Sequence, residues 1–135
     1  MGNQYFYFDY HDGSYGYNTS SSRGADTFFP FSSGGIDINS AVEISNGTGD
    51  FTINNALNYK LIAVSFIAVS GGWTNSPSIS FTNAISSPLY TMSGGNCGAM
   101  RLCTPTDNTV RASYTWNTQP GYSANSKRSI VGFTS

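Results

Sequence analysis

The stretch Leu61-Ile62-Ala63-Val64-Ser65-Phe66-Ile67-Ala68-Val69 decides the fold class. It is too short and too rich in β-branched residues for a helix, so it reads as a strand. Alternate residues of a strand belong to opposite faces, and here both faces are apolar. Leu61, Ala63, Ser65, Ile67 and Val69 make one face, and Ile62, Val64, Phe66 and Ala68 the other. The stretch Thr109 to Asn117 is its counterpart. Val110, Ala112, Tyr114 and Trp116 share a face opposite Thr109, Arg111, Ser113, Thr115 and Asn117, the pattern of a strand with one face in a core and one in water.

Outward from these two, strand signals recur and helix signals do not. Gln4–Tyr10, Thr27–Phe31, the pairs Ile36/Ile38, Val42/Ile44 and Phe51/Ile53, then Ser78–Thr82, Leu89–Met92 and Ser129–Thr134 read as short strands. Between them lie Gly, Ser and Asn turns such as Ser33-Gly34-Gly35 and Asn46-Gly47-Thr48-Gly49. His11 to Arg23 reads as a long loop. The pattern predicts one all-β domain over residues 1–135, an antiparallel β-sandwich of jelly-roll-like form. A two-sheet sandwich buries only one face of each sheet. The strand 61–69 therefore predicts a further cover for Ile62, Val64, Phe66 and Ala68: a second subunit, or a piece of loop such as Phe28–Phe31.

Composition narrows the function. Charged residues are 10% of the chain, aromatic residues 15%, and the formal net charge is -1. Glu43 is the only glutamate, which excludes a coiled coil or charged helical bundle. The absent basic excess argues against a phosphate-driven nucleic-acid binder. No run of apolar residues is long enough for a membrane-spanning helix, and the N-terminus has no signal-peptide pattern. A surface of Ser, Thr, Asn and Gly points to a virion or an extracellular setting.

Catalytic patterns are sparse. His11, the only histidine, lies between Tyr10 and Asp12 beside a Gly-rich stretch and reads as a surface turn residue. No Gly-x-Ser-x-Gly elbow occurs, one His with a lone Cys-x5-Cys is no zinc site, and Asp9 and Asp12 read as turn formers. No enzyme, cofactor or metal is expected. Cys97 and Cys103 either close a small disulfide loop or remain thiols. The chemistry-bearing feature is aromatic residues in turns. Trp73 and Asn75 follow Gly71-Gly72, and Tyr15, Tyr17 and Tyr122 lie among Gly, Ser and Asn. An indole covers the apolar face of a sugar ring while an amide bonds its hydroxyls, so these five residues are candidate glycan contacts.

Asp12-Gly13-Ser14-Tyr15-Gly16-Tyr17-Asn18-Thr19 and Arg23-Gly24-Ala25-Asp26-Thr27-Phe28-Phe29-Pro30-Phe31, with the weakly charged all-β style of the chain, resemble the head domains of trimeric phage and viral fibres and other small virion proteins. The resemblance implies a self-associating domain, a trimer by expectation, that touches other virion proteins or a cell-surface glycan through its loops. It transfers no individual binding residue. A capsid decoration protein without a ligand is the alternative, and a secreted lectin-like domain the third reading.

Overall fold

The computed structural model describes residues 5–8, 15–18, 27–30, 35–47, 49–68, 78–92, 97–115 and 126–135. Positions 5–8, 15–18, 27–30, 38, 67–68, 90–92, 97–98, 115 and 126–127 are described by backbone alone. The protein is all-β, built of antiparallel ladders, with two short 3₁₀ turns among the described residues, at Ile38–Ser40 and Ala56–Asn58. Its strands are β1 (Tyr5–Phe8), β2 (Tyr15–Asn18), β3 (Thr27–Pro30), β4 (Ala41–Gly47), β5 (Phe51–Asn54), β6 (Leu61–Ala68), β7 (Ser78–Phe81), β8 (Ala84–Ser86), β9 (Tyr90–Met92), β10 (Cys97–Pro105), β11 (Thr109–Thr115) and β12 (Ser126–Phe133).

A six-stranded sheet runs β4-β12-β6-β10-β8, with β9 also paired to β10. A three-stranded sheet runs β5-β11-β7, and another runs β2-β1-β3. From β4 to β7 the chain alternates between the large sheet and the β5-β11-β7 sheet, and from β10 to β12 it alternates back. Thus β12 pairs with β4, β11 with β5 and β10 with β6. β12 lies between β4 and β6, bulged between Ile130 and Val131 on its β4 side.

The core forms where these two sheets meet. Ile62, Val64, Phe66, Ala99, Cys103 and Ile130 of the large sheet pack with Ile53, Ile79, Val110 and Ala112 of the small one. The rings of Phe66 and Tyr114 stack across the gap at 3.9 Å. Val110 and Ala112 are buried while Thr109 and Arg111 are exposed, so β11 follows the alternation read from its sequence.

The expected oligomer interface needs correction. Ile62 (0% exposed), Val64 (2%) and Phe66 (0%) lie inside this chain's own core. Ala68 belongs to the positions described by backbone alone. The opposite face of β6 is closed as well: Ala63 and Ser65 are fully buried, with neighbouring Met100 and Val131. The chain therefore covers both faces of β6 by itself, and the doubly apolar pattern reflects a sheet with protein on either side.

The disulfide needs correction too. Cys97 and Cys103 occupy one extended strand, which holds their Cα atoms about 20 Å apart at 3.3 Å per residue. A disulfide requires about 4.4–6.8 Å. Cys103 is a free, buried thiol.

Other local expectations also change. β2 interrupts the stretch His11 to Arg23, where the sequence predicts a loop. β8 and β10 form where the sequence pattern marks no strand. Ile38 begins a 3₁₀ turn rather than a strand, because the Asp37 carboxylate accepts the Asn39 backbone N–H at 2.9 Å and caps it.

Candidate functional site at the loop end

The strand registers bring several connections to one end of the sandwich. Ala68, the end of β6, pairs with Cys97 at the start of β10 and with Ser126 at the start of β12. Gly47, the end of β4, pairs with Arg128. Thr115, the end of β11, pairs with Ser78 at the start of β7. The Phe66–Tyr114 stack places the β6 and β11 ends together across the sheets. The segments 69–77, 93–96 and 116–125 and the corner 48–50 all leave from this end. Trp73 and Asn75 belong to the first of these and Tyr122 to the third, and all three lie outside the described residues. Tyr15 and Tyr17 belong to β2, described by backbone alone. His11 and Trp116 also lie outside the described residues.

The described floor of this end is built around Arg128. It shares the inner face of β12 with Ile130, and Arg128 as a whole is only 5% exposed. Nη1 donates to the Gly49 carbonyl, and Nη2 donates to Ser45 Oγ at 2.7 Å. The guanidinium carbon stands 5.0 Å from the centre of the Phe51 ring. Burial lowers its pKa from the ordinary arginine value, and the electrostatic influence of nearby Tyr114 and Asp50 opposes that shift. An arginine remains cationic under such a shift.

Asp50 completes the corner from the solvent side. Its Oδ1 accepts the Tyr114 backbone N–H at 3.2 Å, and Oδ2 faces Arg111 Nη2 at 3.6 Å. Arg111 Nη1 donates to Thr52 Oγ1 at 2.9 Å. Between the sheets, Val64, Phe66, Ile79, Ala112, Ser113, Tyr114 and Arg128 line a void of about 10 Å³, close to the size of one water. That void is too small to admit a sugar ring.

Among the described residues, no three His, Cys, Asp or Glu side chains stand together as a metal site. No helix among them is long and apolar enough to cross a membrane. Burial pushes the Cys103 thiol up to about 12, against the weaker lowering effect of Arg101, which makes it a poor nucleophile.

The other end of the sandwich differs. Leu61, Ile85, Leu102 and Thr104 contribute to a groove of about 230 Å³ there, with Ile85 68% exposed. Arg101 ties the sheets together nearby, donating from Nε to the Ser87 carbonyl at 2.7 Å and from Nη1 to the Ile79 carbonyl at 2.8 Å.

Sequence reading missed Arg128, Tyr114 and Asp50 as a group. The available signal was Arg128 itself, a lone cation in phase with Ile130 on a strand whose inner face is otherwise uncharged. Comparisons with protein-family models, curated proteins and solved structures yield no match.

Proposed function

We propose that the chain is a non-enzymatic recognition and assembly domain of the virion fibre type, which binds a neutral glycan at its loop end. The observation that carries this reading is that the strand ends from which segments 69–77 and 116–125 leave, Ala68, Ser78, Thr115 and Ser126, lie at one end of the sandwich, and Trp73, Asn75 and Tyr122 belong to those segments. A scaffold of buried strands with recognition residues in its connections is a common division of labour. A chain with 10% charged residues has few ion pairs to offer a ligand. Stacking and hydroxyl or amide hydrogen bonds are what it has. The alternation of strands between the two sheets supports the finer reading of the sandwich as a jelly roll.

The test is Trp73→Ala, read on an array of neutral glycans and by thermal unfolding. The expected result is loss of glycan binding with an unchanged midpoint. Unchanged binding refutes the role of Trp73, and a large stability loss makes it a core residue.

A second reading is assembly without a ligand, in a virion fibre or as capsid decoration. The groove beside exposed Ile85 favours it. Because Ile62, Val64 and Phe66 are internal, self-association, with a trimer still the expected state, would use a different surface. Light scattering tests this: a monomer mass at high concentration refutes it.

A further inference from the structure

We propose that Arg128 is the positioning residue of the loop end, holding the β4–β5 corner in the one arrangement on which the surrounding connections are built. The geometry of this proposal stands on the described residues alone. Its consequence for binding rests on the recognition reading above.

Between Gly47, the end of β4, and Phe51, the start of β5, the chain leaves the large sheet for the small one. Arg128 reaches this corner from β12. One planar fork engages the Gly49 carbonyl in the corner and Ser45 Oγ in the strand before it, while its face covers Phe51 in the strand after it. Residues on both sides of the crossing are thereby fixed to a third strand. The fit is tight: a Cβ added at Gly47 would stand 3.1 Å from Nη2. Asp50 then transmits the corner's position to β11 through the Tyr114 N–H. β11 and β12 are the two strands that bracket segment 116–125, so the latch sets both of its anchor points.

A lysine cannot replace this group. It keeps the charge but lacks the planar two-pronged donor set, so it cannot reproduce both bonds and the ring contact together. A merely structural arginine would lower global stability and nothing else. A latch loosens the corner selectively.

The test compares Arg128→Lys with Ile130→Val, a substitution on the same face of the same strand, by residue-resolved amide hydrogen exchange and equilibrium unfolding. Loss of one charge-assisted hydrogen bond predicts exchange at residues 47–51 about tenfold faster or more in Arg128→Lys, beyond the change at core amides of β6. Ile130→Val should show no such local excess. Exchange that rises in proportion to global destabilisation in both variants overturns the proposal, as does a wild-type pattern in Arg128→Lys. The same variants are then applied to the neutral glycan array. If wild-type protein binds there, Arg128→Lys should weaken binding and Ile130→Val should not. If wild-type protein binds nothing, the recognition reading fails while the exchange result alone decides the latch.

Discussion

Gly132→Ala is the sharpest test of how the sheets fit together. Gly132 lies on β12 opposite Ile62 of β6 and Val42 of β4, held in ladders on both sides. The Tyr59 ring lies where a side chain at 132 would go. An added Cβ would stand 2.4 Å from Tyr59 Cδ1, 2.7 Å from Cε1 and 2.8 Å from Cγ. Ordinary carbon–carbon contact is about 3.5–4.0 Å, so the ring must retreat by about 1 Å or more. It cannot do so freely, because Tyr59 packs against the core cluster and its neighbour Lys60 bonds the Phe133 carbonyl at 2.7 Å. Overpacking of this kind costs about 1–3 kcal/mol, and overlap with three ring atoms belongs at the upper end. Replacing glycine by alanine within a strand recovers about 0.5–1 kcal/mol of backbone entropy. The expected net loss is about 2 kcal/mol, read as a lowered urea midpoint at unchanged slope. In a Tyr59→Ala background the overlap is gone, and the same substitution should become neutral or slightly stabilising. A double-mutant cycle therefore gives a coupling of about 2 kcal/mol. A cost below about 0.5 kcal/mol in the wild-type background, or an equal cost in both backgrounds, would refute the contact.

Two further outcomes follow from the core. Phe66→Ala should cost about 3–5 kcal/mol in denaturant unfolding with no change in the mass of the folded protein, because Phe66 is internal to one chain; a change of assembly state without destabilisation would restore it to an interface. For Cys103 the folded pKa lies above the unfolded value of 9.0, at about 12, so the folded state holds its proton longer. Its contribution is complete below pH 9 and is lost as pH rises toward 12. The urea midpoint should fall across that alkaline range, and Cys103→Ala should flatten the fall; an equal slope in both proteins contradicts the assignment.

How much was legible in the sequence depends on which scale of interaction a residue reports. Val110, Ala112 and Tyr114 alternate with polar neighbours, so a single strand carried enough information to assign both its faces. In 61–69 the strand was plain, yet its two apolar faces say only that something covers each, not which molecule supplies the cover. The structure answers with the chain's own packing at Ala63 and Ser65. β10 escaped because Gly98, Arg101 and Pro105 break its apolar run, and its cysteines drew attention to a loop closure that extended backbone forbids. The latch at Arg128 was illegible for a different reason. Gly49 and Ser45 are separated from it by 79 and 83 residues, and their meeting is a product of the fold. Trp73, Asn75 and Tyr122 were chosen one by one, and only the strand registers reveal that their segments leave from a common end.

The insertion of β12 between β4 and β6 has a consequence for how the molecule comes into being. During synthesis β4 and β6 emerge early, but the large sheet leaves a gap between them that only residues 126–133 fill. Until those residues appear, two strand edges of the nascent chain stand open, with Ile62, Val64 and Phe66 lacking their neighbour Ile130. β12 pairs with β4 and β6, both far earlier in the chain, a long-range step of the kind that makes β-rich domains slow to fold. The protein is thus assembled in the manner of an arch completed by its keystone. Its nascent chain is most exposed to mispairing with other copies just before synthesis reaches the strand that ends the risk.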